Sequence, residues 1–441
     1  MNLRKIHSLL FVVLLVSLFA CKKEDDPILE DPDSRLNTYL EKSLQTLTEA
    51  PYGYKATLFT RAEKTFAFFM QFDKDGRVNM LSDFDGNSAV KLQSSSYRLK
   101  ALQRPSVIFD TYNYISMLAD PQGSVNGGTN GQGLFGDNDY SLLKFSGDTV
   151  GLIGNKNTSQ LLLIKATEAE QKSFLEGGLG QSRQLLTTFM NSHKYPYILV
   201  DNKKIALAID QTSRQVTLSW LEADGTTITN LSSSFFYTPE GIVSTFLKIG
   251  GNLIEEFKWD NEKKTYLVTV GGQQIEVQAN PTPVFPLILQ FGFKKTYSII
   301  GTSNNTLPDG VNSTFNNLWK TVNTNFTSSG RAIRYIEFKL ISENQATLTV
   351  YYSSGTTNYI ADMSFTYTIN QNVLRLTDPK RDFSNGNWTS RLAQLSVLED
   401  YILKGPFVID WVSSSSSKVT EPLGGLSPQS NAGDFFYGYL K

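Results

Sequence analysis

Chemistry at a protein site needs side chains that move protons, attack a substrate or hold a metal, and this 441-residue chain is sparing with them. It has two histidines, His7 and His193, and one cysteine, Cys21. A structural or catalytic zinc site draws three or four ligands from such residues, so none is expected, and thiol catalysis goes with it. His193 sits in "NSHKYPY" at an apparent helix end, where an imidazole favours the C-terminal dipole over service in a serine triad. Carboxylates are what remains. Asp73 and Asp75 in "DKDG", and Asp137 and Asp139 in "GDNDY", have the one-apart spacing by which alternate carboxylates converge on a hard cation. Neither completes a calcium loop, and turn propensity explains both. Glu255 and Glu256, with Asp260 nearby, could work as an acid–base pair only if the fold set two carboxyls about 5–10 Å apart across a substrate. The expectation is therefore no enzyme, no metal and no cofactor.

Aromatic residues make up 12% of the chain, including Trp220, Trp259, Trp319, Trp388 and Trp411. A tryptophan can stack on a sugar ring or cap a groove. Trp220 and Trp259 alternate with apolar neighbours and read as core. Trp388 lies in the polar stretch "SNGNWTS", where an indole is either a lid over its own sheet or a ligand contact. Trp388, Asp137 and Asp139 are accordingly the candidate ligand-binding residues.

The N-terminus supplies an address. Arg4 and Lys5 precede an apolar or small-residue run, Leu9–Ala20, that is too short to span a bilayer of about 30 Å. Residues 1–20 read as a signal peptide. Leu18, Phe19 and Ala20 before Cys21 resemble a bacterial lipobox, with Phe19 bulkier than that pattern usually carries. Cys21 is the expected lipidation site, and two or three acyl chains hold a protein to a membrane stably where one does not. Lys22, Lys23, Glu24, Asp25 and Asp26 look like an acidic surface-export signal, and residues 21–34 as a whole like a flexible tether with Pro27 and Pro32. Without Arg4 and Lys5 the chain keeps 39 basic and 42 acidic residues, a formal charge of −3, so no nucleic-acid partner is expected.

The elements that must position any site are mostly strands. From residue 54 onward, short alternating segments rich in Val, Ile, Thr, Tyr and Phe are punctuated by "DKDG", "ADGT", "PEG" and "GG". "FAFFMQFDKDGRVNMLSDF" predicts a hairpin turning at Asp73–Gly76. "SSSYRL" at 94–99, "SSSFFY" at 232–237 and "DMSFTY" at 362–367 recur at similar intervals, and helix-like segments at 34–48, 167–191 and 310–325 precede each meander. The fold class is mainly β with a few helices (α+β), as repeated helix-plus-antiparallel-meander units of lipocalin-like barrels or half-barrels. The expected domains are 35–165, 166–300 and a C-terminal one over 301–441. The glycine-rich stretch 120–139 reads as a loop too flexible to fold on its own, a tolerated insertion rather than a contact surface.

Phe109–Asn113, Asp120-Pro121, Gly136-Asp137, Gly154–Lys156 and the stretch Glu240–Asp260 carry a resemblance to a family of uncharacterised Bacteroidota outer-membrane lipoproteins. Members sit near a TonB-dependent transporter and its starch-utilisation-type lipoprotein. That resemblance implies an accessory or ligand-binding lipoprotein of glycan or peptide uptake, lipid-anchored in the outer membrane and facing outward. It transfers no catalytic residues. The alternatives are a carboxylate-dependent hydrolase of glycans or peptides, and a structural subunit of the transporter complex.

Overall fold

A computed structural model describes residues 32–102 and 104–441. Leu9–Ala20, Cys21 and Lys22–Asp26, on which the anchor and export readings rest, lie outside the described residues. The chain divides into two compact units, residues 1–180 and 181–441. Among the described residues no helix is long and apolar enough to cross a membrane.

In the first unit, α1 (Pro32–Thr48) precedes β1 (Tyr54–Phe59), β2 (Thr65–Phe72), β3 (Arg77–Ser82), β4 (Gln93–Ala101) and β5 (Pro105–Phe109). Two short helices follow, α2 (Tyr114–Ala119) and α3 (Gly123–Asn126), and then β6 (Asp139–Ser146), β7 (Thr149–Gly154) and β8 (Gln160–Lys165). The strands form an antiparallel up-and-down barrel that closes where Tyr54 of β1 pairs with Lys165 of β8. The alternation is visible in burial: Tyr54, Ala56 and Leu58 face inward while Lys55, Thr57 and Phe59 are half-buried. The expected hairpin is β2–β3, with Phe72 opposite Val78. Asp73 Oδ1 fixes its turn by accepting from Asp75 N at 3.0 Å and Arg77 N at 2.8 Å, so this aspartate organises a turn. Leu44 and Leu47 of α1 turn onto the barrel core, and Tyr54 donates to Thr46 O at 2.6 Å.

The second unit holds two sheets. The helix expected over 167–191 is broken at Gly177 (φ 86°) into Glu168–Leu175 and Gly178–Ser192, the first in the preceding unit. Seven consecutive strands from Tyr195 to Val270 then form a meander. Its last stretch splits around Val277: Gln273–Glu276 pairs with the strand before it, and Gln278–Asn280 pairs back to the first, at Tyr195–Tyr197. One divided strand thereby pairs with both the last and the first strand of the meander. Eight further strands, from Ile299 to Leu440, make another closed barrel. Here helix-then-strands order gives way. The first strand, Ile299–Gly301, precedes the helix Phe315–Ser328, and two more helices, Asn387–Ser390 and Leu392–Ile402, are inserted between the fifth and sixth strands.

The three recurring segments fall on the fourth strand of each sheet, within Gln93–Ala101, Ile228–Thr238 and Thr357–Asn370. In each, a tyrosine hydroxyl donates into the turn between strands two and three: Tyr97 to Asp73 O (2.7 Å), Tyr237 to Gln211 Oε1 (2.9 Å) and Tyr367 to Ser342 O (2.9 Å). A hydroxyl at that position ties a long-range strand to a local turn.

Candidate functional site

The glycine-rich stretch 120–139 is the part of the first barrel that sequence reasoning misjudged. It folds tightly, and glycine is the reason. A Cβ at Gly128 would lie 2.3 Å from Gly133 O, one at Gly133 2.4 Å from Asp120 O, and one at Gly136 2.9 Å from Leu118 Cβ. Bare backbone lets the chain fold onto itself where any side chain would clash. Asn126 then pins the knot: its Nδ2 donates to Met117 O and Asp120 O at 2.9 Å each, and its Oδ1 accepts from Gly128 N at 2.8 Å. Asn113 caps α2 through Ile115 N and Ser116 N at 3.0 Å each. At the neck, Tyr112 donates to Asp120 Oδ2 at 2.6 Å, and this bond, with one from Gln122 N, holds the Asp120 carboxyl below the usual range. Leu118 and Leu134 anchor the loop in the barrel core.

Asp137, singled out as a ligand contact, is buried and already spoken for. Its Oδ1 accepts from Lys156 N (2.9 Å) and Asn157 N (2.8 Å), and its Oδ2 from Ser159 N (3.2 Å) and Ser159 Oγ (2.5 Å). Four donors saturate the carboxylate, so it fastens the β7–β8 turn to the loop rather than reaching into solvent. Gly154 makes this possible, since a Cβ there would stand 1.9 Å from Asp137 Oδ2.

Loop and turn together wall a cleft of about 550 Å³, within the range of about 300–1,000 Å³ typical of small-molecule sites. Both aspartates line it, Asp137 buried with its carboxylate engaged and Asp139 half-buried at the start of β6. The Asp139 carboxylate engages no hydrogen bond or ion pair among the described residues, and the same is true of the side-chain polar atoms of Gln132, Asn138 and Lys156, which also line the cleft. Phe135 adds a half-buried ring to the wall at a backbone φ of 55°, with the Arg61 guanidinium 6.0 Å from the ring centroid. Gln132, Phe135 and Asn138 escaped sequence reasoning. The one signal that could have found them is an aromatic residue set among glycines in "GQGLFGD".

Trp388, the third candidate, is fully buried in the C-terminal barrel and offers no ring face to a ligand. Its Nε1 donates to Glu399 Oε2 at 2.7 Å, and Arg381 holds the same carboxylate through Nε (3.0 and 3.1 Å) and Nη2 (2.5 Å). Burial alone would raise the Glu399 pKa, but the bonds from Arg381 and Trp388 and the arginine charge outweigh it and hold the carboxyl below its ordinary value. The polar flanks of Trp388 belong to a helical insertion that folds the indole inward, which is why loop composition misled.

Two further clefts, of about 410 and 450 Å³, lie in the second unit. Polar groups along them are engaged internally: Lys194 Nζ with Val419 O (3.0 Å), Ser414 Oγ with Asp309 O (2.6 Å) and Ser415 Oγ with Gly310 O (3.1 Å). In the first-barrel cleft Asp137, Asn155 and Asn157 are likewise engaged, while Gln132, Asn138, Asp139 and Lys156 stand around Phe135 without such bonds. This cleft also gathers the Asp120-Pro121, Gly136-Asp137 and Gly154–Lys156 motifs into one place.

Comparison with family models matches residues 24–261 to DUF4302, described as a domain of unknown function. No curated protein matches the chain.

Proposed function

We propose, from the premise that this chain belongs to the DUF4302 family, a lipoprotein that binds a small polar ligand without turning it over. Acylation at Cys21 anchors it in the outer membrane, and Lys22–Asp26 direct it to the cell exterior. There it serves a TonB-dependent nutrient-uptake complex as a binding or accessory component. The observation that supports the binding role is the first-barrel cleft, where Gln132, Asn138, Asp139 and Lys156 keep uncommitted polar groups around a space held open by a fixed loop. Hydrogen-bonding capacity that goes unused inside the protein is available to a ligand, whereas a floppy insertion would offer it no fixed geometry. Asp137 supports binding over hydrolysis, since all four of its hydrogen bonds hold loop and turn together.

The test is a thermal-shift and product-analysis screen of the full-length protein in detergent against saccharide and peptide panels. At least one compound should raise the melting temperature without being consumed. The triple substitution Gln132→Ala, Asn138→Ala and Asp139→Ala should abolish the shift while leaving the unliganded melting temperature nearly unchanged. A panel without any hit, or product formation that disappears when Asp139 is substituted, would overturn the reading.

A further inference from the structure

We infer that the first-barrel cleft takes a pyranose ring stacked on Phe135, an inference that rests on the ligand-binding role proposed above. The backbone at Phe135 has φ 55°, a left-handed conformation that glycine adopts freely and other residues only at a cost; Phe135 is the one aromatic among the eleven non-glycine residues that adopt it in the described residues. The chain uses glycine at Gly133 and Gly136 on either side, yet places a phenyl ring where the backbone favours glycine. Strain of this kind persists only where surrounding structure enforces it, and it gathers at ligand sites. Packing does not account for the ring. Leu134, next to it, fills the barrel core at 3% exposure, while Phe135 remains half-buried on the cleft wall.

A pyranose presents a C–H face and a rim of hydroxyls. The flat ring of Phe135 suits the first by apolar contact. Around it, Asp139 accepts, Lys156 donates, and the amides of Gln132 and Asn138 do both, a mixture that matches hydroxyl groups, which are donors and acceptors at once. Capture of an extended peptide by pairing with a sheet edge is not on offer, because this barrel closes β1 onto β8. Arg61 steadies the aromatic wall from the β1–β2 turn.

Calorimetry of the full-length protein with neutral di- and trisaccharides, and with tripeptides as the contrasting arm, decides the matter. A saccharide should bind, and Phe135→Gly should weaken it about tenfold or more while the melting temperature holds or rises, because glycine relieves the strained φ. Phe135→Tyr should keep the affinity. Saccharide binding unchanged in Phe135→Gly overturns the inference. Tripeptide binding without saccharide binding, lost in the Gln132, Asn138 and Asp139 triple variant, overturns the saccharide inference and leaves the ligand-binding role intact. Binding of neither class overturns both.

Discussion

The first and C-terminal barrels are both interrupted between their fifth and sixth strands, by residues 110–138 in one and 382–406 in the other. The sheet between them has only the Gly250-Gly251 turn at that step. Both insertions carry short helices and buried polar side chains, yet they use them differently. In the C-terminal barrel, Trp388, Glu399 and Arg381 satisfy one another, Asp382 accepts from Thr389 N at 3.0 Å and from its hydroxyl, and Asp362 accepts from Ser384. That insertion is a plug. In the first barrel, Asn113, Asn126 and Asp137 are equally satisfied, but Gln132, Asn138, Asp139 and Lys156 are left facing a cleft. The same topological opening thus yields a closed polar network where side chains find each other, and an open polar cleft where they do not.

The largest expected effect tests the plug. Trp388→Ala removes a fully buried indole and one of the donors to Glu399, and should cost about 3–5 kcal/mol of stability in urea unfolding followed through the C-terminal barrel. Ligand binding at the first barrel should persist. If affinity falls and stability does not, the C-terminal insertion is a site and the contrast fails.

Next in size is Gly154→Ala. Its backbone φ is not left-handed, so the effect is steric: the new methyl would meet Asp137 Oδ2 and push the β7–β8 turn from the loop, at about 1–3 kcal/mol. Ligand affinity should drop together with stability. A stable variant with unchanged affinity would mean that the Asp137 anchor does not shape the cleft.

Smaller still, Tyr97→Phe and Tyr367→Phe each delete one hydroxyl-to-turn hydrogen bond and should cost about 1 kcal/mol apiece by chemical denaturation. Similar losses would show that the fourth-strand tie works alike in both barrels. A negligible loss in one would mark a real difference between them.

The smallest effect is a slope. The folded-state pKa of Glu399 lies below its unfolded value, so its contribution is present above the usual glutamate pKa of about 4.3 and fades as pH falls through the folded value. Acid titration of stability should therefore be steeper in wild type than in Glu399→Gln. Equal slopes would remove the charge pairing from the account of the plug.

Much of the strand pattern was legible because its signals are local. Period-two alternation and the Asp73 turn need only neighbouring residues, and the β2–β3 hairpin follows from them. The recurring serine-rich and aromatic segments marked equivalent fourth strands for the same reason. The site was legible only in part. Asp137 and Asp139 were both singled out, yet one fastens the wall and the other faces the cleft, a distinction set by whether donors from residues 156–159 arrive at the carboxylate.

By itself, then, the sequence determined a β-rich chain of meanders with helices before and between them, because alternation and turn residues act within a few positions. The tertiary structure alone decided closure of the first barrel, with Tyr54 paired to Lys165, and the division of one strand between the two ends of the middle sheet. It alone turned Trp388 inward and folded a glycine-rich loop tightly onto itself. Burial and hydrogen-bond satisfaction depend on partners far away in the chain: Gly154 lies beside Asp137 and Glu399 beside Arg381 only after the strands between them have paired.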